Sequence, residues 1–273
     1  MLGRKTSGSV VCPSCGSLVG VNDERCYSCG RVNPGMWGFA PLLRQFGNDL
    51  GLVPLVIGVC SALFLVSVLL TIKDGGSAVQ AMWGLSSRVL NELGATGSYQ
   101  VLYAGAWWTL LSASWLHGGL LHLVMNMMAL RNLGPGTADL IGPSRTAIIY
   151  VIAGVCGFLL SVVMGAGTTI GASASICGLI GALIHYGRRS GSSLIYNQAL
   201  QWAIATLVLG FIVPAINNWA HLGGFIGGYL ASAVLNPLTR ERGDHMLGAA
   251  ICLLVSFAAV AYSIVDNWLL IIN

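Results

Sequence analysis

The chain has 273 residues, of which 55% are hydrophobic and 8% charged, with a formal net charge of +4. Soluble domains have about a quarter of their residues charged, so this composition excludes one and indicates an integral membrane protein in contact with a lipid bilayer. No basic run is interleaved with stacking aromatics, so the positive charge does not indicate nucleic acid as a partner.

The chain opens on an aqueous segment. Cys12-Pro13-Ser14-Cys15 and Cys26-Tyr27-Ser28-Cys29 are two CxxC knuckles separated by ten residues. Four thiolates at this spacing close a tetrahedral Zn²⁺ site, and in so short a segment the metal supplies most of the folding energy. Disulfides are the competing reading, but they rarely persist in the reducing compartment assigned below. Zinc ribbons serve both as recognition modules and as inert caps, so a cytoplasmic protein partner stands beside a purely capping role. The expected organisation is a zinc ribbon and linker over 1–40, a membrane domain over 41–236, and a loop with one further helix over 237–273.

Seven apolar runs follow, at Gly51–Ile72, Leu110–Leu133, Arg145–Gly165, Ser173–Gly187, Leu194–Ile216, Trp219–Leu235 and Leu247–Ile272. Each approaches the ~20 residues that cross a hydrocarbon core, except the fourth, whose Gly-rich approach must dip into the protein. The predicted fold is an all-α polytopic bundle of seven spans. With the N-terminus inside, Arg4, Lys5, Arg25, Arg31, Arg44, Arg131, Arg145, Arg188, Arg189, Arg240 and Arg242 are cytoplasmic, leaving Lys73 and Arg88 outside. That asymmetry predicts a cytoplasmic N-terminus in a bacterial-type plasma membrane. The first apolar run begins near residue 51, too far in for a cleavable signal peptide.

Polar groups at membrane depth are costly and mark candidate sites. In HGGLLHLVMNMMAL, His122 and Asn126 are four apart and share a helical face, with His117 as an outer neighbour. GASASICGLIGA places Ser173, Cys177 and Gly181 on one small-residue face, with Gly178 beside them and Ser175 facing away. In WAHLGGFIGGYL, His221 shares a face with Gly224 and Gly228, which lets a neighbouring helix approach until backbones nearly touch. Cys60, Cys156, Cys177 and Cys252 read as small hydrophobes. A serine, a histidine and hydrogen-bond donors on three spans fit nucleophilic acyl transfer. All nine Asp and Glu lie outside the span cores, so such a site is a Ser–His dyad. Without an HExxH helix, a zinc hydrolase is disfavoured, and no cofactor is expected for catalysis.

With these motifs in this order, the chain over about residues 51 to 236 resembles the rhomboid family of intramembrane serine proteases. HGGLLHLVMN corresponds to the family's H-x4-H-x3-N, GASA to its G-x-S-G, and AHLGGFIGG to its A-H-x-x-G-x-x-x-G helix. The resemblance implies that Ser173 is the nucleophile and His221 the general base and acid. It places His122 and Asn126 with the Ser173 N–H in the oxyanion hole. It further implies a six-helix bundle, here with a seventh helix, that cleaves transmembrane segments of other membrane proteins. Residues 73 to 109, rich in aromatics, correspond to a half-inserted first loop. The alternative is an idle rhomboid-like protein that binds and retains or delivers transmembrane clients. Four positions depart from the pattern. Ala174 replaces the glycine after the serine, and Cys177 replaces an aromatic that commonly packs on the catalytic histidine. Trp108-Thr109 replaces a Trp-Arg pair, and Ala138 replaces a glutamate between Gly134 and Gly142. The last two changes bear on stability more than on chemistry.

Overall fold

The computed structural model describes residues 4–13, 15–41 and 49–268. Arg44 and the last residues of the seventh expected span, beyond 268, lie outside the described residues. Near the N-terminus, β1 (Ser9–Val11) pairs antiparallel with β2 (Leu18–Gly20), Val10 opposite Val19. Val10, Val19 and Val21 with Cys12 and Cys26 form a core of a few side chains. So small a core needs a staple, and a cluster of four cysteines stands beside it.

The rest of the described chain is helical: α1 (Leu52–Lys73), the short α2 (Ala78–Trp83), α3 (Ser87–Glu92) and α4 (Thr109–Ser112), then α5 (Leu120–Ile141), α6 (Pro143–Val163), α7 (Ser173–Ser190), α8 (Ser193–Ile212), α9 (Asn218–Leu235) and α10 (Gly243–Asp266). Seven of these have 18 to 24 residues. At about 1.5 Å per residue they reach roughly the thickness of a hydrocarbon core. Four, α1, α6, α8 and α10, are long and apolar enough to cross a membrane on composition alone. The other three, α5, α7 and α9, are those that carry the candidate polar residues. The chain is thus an all-α polytopic membrane protein with an N-terminal cysteine cluster.

The second and fifth expected spans change their bounds. The second span does not start at Leu110: Thr109–Trp115 forms short turns, Leu116 is extended, and α5 begins only after Gly119, itself extended at φ −179°. Ser112 explains part of this, because its Oγ donates to the Gly94 carbonyl at 2.7 Å and holds the turn against the first loop. The helix gained at its far end runs through Pro135 to Ile141. The fifth span stops at Ile212 rather than Ile216, since Pro214 biases Val213 to extended backbone.

Helix α9 is wedged between α6 and α7 with glycine at both contacts. A Cβ on Gly224 would collide with the Ala174 carbonyl, and one on Gly228 with that of Gly178. On the α6 side, a Cβ on Gly223 would come 2.7 Å from the Cys156 carbonyl. Helix α10 lies across the outside of α6 and reaches the first loop. At the other end of the bundle Arg145, 2% exposed, clamps the α9–α10 connection: Nη1 donates to the Thr239 carbonyl at 2.8 Å and Nη2 to that of Arg240 at 3.0 Å.

Candidate active site

The geometry is set first by His122. Its Nδ1 accepts from the Gly118 N–H at 3.4 Å, which leaves Nε2 as the donor. A Cβ built on Gly171 would lie 2.7 Å from that Nε2 and 2.8 Å from Cε1. Glycine is needed there twice over, for this close approach and for its φ of +115°. Asn126, one turn along, donates from Nδ2 to the His122 carbonyl at 2.8 Å. His117 is 1% exposed and packs edge-on against the His122 ring at 5.0 Å, so it buttresses the imidazole rather than pointing away from it.

Ser173 is the first residue of α7 and is half-buried. The segment before it is held by the Gly171 N–H, which donates to the Ala113 carbonyl at 2.9 Å. The N–H groups of the first turn have no intrahelical acceptors, and the helix dipole adds positive potential there. Ser175 is fully buried and points towards Gly154 of α6, so it is part of the packing.

His221 stands in the first turn of α9. A Cβ on Gly157 of α6 would collide with the Ala220 carbonyl and come 2.7 Å from the Ala174 Cβ. The residues beside Ser173 and beside His221 thus meet at one glycine, which brings the two first turns together. Ser173 and His221 share no hydrogen bond, and His221 Nδ1 is buried without a partner among the described residues. The ion pairs among the described residues are Arg88 with Asp74 and Glu92, and Arg242 with Asp244, so none reaches His221. Nor does any aromatic ring pack on His221 among the described residues; Cys177 is buried in α7.

The four cysteines of the N-terminal module form a second centre. Their sulfurs all lie within 4.8 Å of one another, Cys12 to Cys29 at 3.7 Å and Cys15 to Cys26 at 3.6 Å. Metal–sulfur bonds of about 2.3 Å in a tetrahedron give an S···S edge of roughly 3.8 Å, so the cluster fits a divalent ion such as zinc. Each knuckle closes with a glycine in the left-handed region, Gly16 at φ +77° and Gly30 at φ +70°. Burial pushes the Cys29 thiol up to about 12. At Cys15 burial acts in the same sense but is outweighed by hydrogen bonds involving Ser17, which bring that thiol down to about 6.

Sequence reasoning missed two buried polar groups. One joins Asn217, Ser161, Thr169, Thr96 and Thr109 above the two first turns; the Asn217-Asn218 pair ahead of an apolar run was the available signal, as a helix cap. The other is His185, whose Nδ1 lies 2.9 Å from Ser232 Oγ at the opposite end of α7 and α9. Both of its residues are buried, so this Ser–His pair reads as part of the packing between α7 and α9.

Fold and site together define a polytopic helical membrane protein in which small-residue packing brings a serine, two histidines and an asparagine to one end of three helices. Residues 104–238 match the Rhomboid domain model. The chain belongs to the rhomboid family. It is 33% identical over 164 residues to Rhomboid protease GluP of Bacillus subtilis (strain 168), covering 59% of this chain and 32% of that protein. It is 35% identical over 167 residues to RHOMBOID-like protein 5 of Arabidopsis thaliana, covering 56% and 51%. To Inactive RHOMBOID-like protein 8 of the same plant it is 33% identical over 158 residues, covering 55% and 41%. The matches thus span about a third to a half of these relatives' lengths.

Proposed function

We propose that the chain is an intramembrane serine endopeptidase acting on transmembrane segments of other membrane proteins. The observation that supports this reading is the meeting of Ala174 and Ala220, the residues next to Ser173 and His221, at Gly157, with the His122 Nε2 against Gly171. Ser173 Oγ attacks the scissile carbonyl while His221 takes the hydroxyl proton. Negative charge develops on the carbonyl oxygen and is met by His122 Nε2–H, the Asn126 amide and the Ser173 N–H at the α7 N-terminus. His221 returns its proton to the leaving amine as the C–N bond breaks. Water, deprotonated by His221, then attacks the acyl-enzyme, and Ser173 leaves with the proton restored. With no carboxylate to hold His221, its orientation falls to the packing of α9.

An inactive relative exists, and the competing reading is a client-binding protein without hydrolysis. Retention of the nucleophile, base and oxyanion donors favours the enzyme, because a binder has no use for a preorganised oxyanion site. Labelling by a fluorophosphonate separates the two. Wild type is expected to label at Ser173 and to cleave a model transmembrane substrate, and Ser173→Ala and His221→Ala are expected to do neither. A wild type that does neither sinks the protease reading.

The same reading assigns the module over 1–40 a structural zinc held by Cys12, Cys15, Cys26 and Cys29. It also assigns a cytoplasmic N-terminus, a bacterial-type plasma membrane, and a cytoplasmic protein partner for the ribbon. Zinc when bound supplies the charge that lets four crowded thiolates coexist. One zinc per purified chain is expected by metal analysis; chains without metal whose four N-terminal thiols all react with a thiol reagent would remove this assignment.

A further inference from the structure

The dyad reading leaves one requirement unmet: something must fix where the first turn of α9 sits relative to the first turn of α7. The glycine contacts set how closely the helices approach, and their packing holds the residues beside Ser173 and His221 at Gly157. No carboxylate holds His221. Directional hydrogen bonds that sharpen this placement belong at the helix starts.

Asn217 occupies that position. Its Oδ1 accepts from the N–H groups of Trp219 at 3.1 Å and Ala220 at 3.2 Å, and its main-chain carbonyl accepts from the His221 N–H at 3.2 Å. Its Nδ2 donates to Ser161 Oγ of α6 at 2.6 Å and to Thr169 Oγ1 at 3.0 Å. The two hydroxyls lie 3.2 Å apart. Both amide protons and the amide oxygen are therefore used. Thr169 is itself tied to the first loop, its N–H donating to the Thr96 carbonyl at 2.7 Å and its carbonyl accepting from the Thr96 N–H at 3.2 Å. Ser161 and Thr96 are fully buried and Thr169 is 7% exposed. Thr169 stands four residues before Ser173, and Asn217 four before His221. The single side chain of Asn217 thus binds the strand leading to one reactive residue and caps the helix bearing the other.

We propose that Asn217 is a positioning residue that registers His221 against Ser173 through Thr169 and Ser161. This rests on the dyad reading. The two roles of the side chain are separable. Asn217→Ser keeps a cap, since a serine oxygen still accepts from the first-turn N–H groups, but is too short to reach Ser161 and Thr169. A misplacement of about 1 Å between reacting groups costs on the order of 100-fold in rate.

The test uses the full chain in proteoliposomes with a model transmembrane substrate. Asn217→Ser is expected to lose about 10- to 100-fold in kcat with KM within about twofold, and to unfold at nearly the wild-type temperature. The Ser161→Ala/Thr169→Val pair, which removes the same contacts from the other side, is expected to lose a similar factor. Adding Asn217→Ser to that pair is expected to cost little more, because all three act as one unit. Wild-type kcat in Asn217→Ser, a loss confined to KM, a loss that tracks the unfolding temperature, or full additivity overturns the proposal. If Ser173→Ala is dead while Asn217→Ser is fully active, only the positioning role fails; a wild type without activity overturns both readings. Should Asn217→Ser not fold, the Ser161/Thr169 pair carries the test alone.

Discussion

At residue 174 a single methyl distinguishes this chain from the family pattern, and its surroundings explain why it is accommodated. Ala174 is 1% exposed, and its Cβ fills space that Gly157 leaves open. The two positions share one methyl between them. Ala174→Gly removes that methyl and frees the backbone, so a loss of about 1–2 kcal/mol is expected with the fold retained. Gly157→Ala is expected to cost more, because its methyl would come 2.7 Å from the Ala174 Cβ and would also strike the Ala220 carbonyl, which is backbone and cannot turn aside. Combining the two should relieve the first clash but not the second. Thermal unfolding in detergent ranks the three; a Gly157→Ala protein as stable as Ala174→Gly contradicts this account of the contact.

At the scale of one helix, α9 carries two glycine faces where the sequence suggested one. His221, Gly224 and Gly228 were readable as a face because residues spaced by three and four align on a helix. Gly223 and Gly227 belong to a second face that meets α6 at Cys156, and nothing in their spacing says that two neighbours rather than one press on α9. The same limit explains the start of α5. A run of apolar residues from Leu110 looks like helix, but whether it coils depends on Ser112 finding the Gly94 carbonyl in a distant loop. Local pattern thus revealed the spans and the order of the polar motifs. The contacts that bring the residues beside Ser173 and His221 together, and the Asn217 group above them, are tertiary; Asn217 and Ser161, for example, lie 56 positions apart. A cap residue at 217 was legible in type; its second set of partners was not.

Across the whole molecule, the seventh helix takes on the bracing of the first loop. The Trp108 Nε1–H donates to Ser263 Oγ at 3.0 Å and the Trp115 Nε1–H to Ser256 Oγ at 2.6 Å, both hydroxyls on α10. Tyr262 meets Trp108 edge-on at 4.6 Å, Phe257 lies against Trp115 at 4.7 Å, and Asn267 donates to the Glu92 carbonyl at 3.1 Å. Where the family pattern has charged groups, this chain has Thr109, bonded to Thr96 at 3.0 Å, and the buried Ala138. Ending the chain after Arg242 strips both indole N–H groups of their partners, at a cost of about 1–3 kcal/mol for each one left unsatisfied. Trp115 lies two residues before His117, so the loosening travels towards the His122 ring. The truncated protein is expected to unfold at lower temperature, to emit at longer tryptophan wavelength as Trp115 becomes wet, and to label at Ser173 more slowly than wild type. Unchanged emission together with an unchanged unfolding temperature would show that α10 is an ornament on a six-helix body rather than the brace of its first loop.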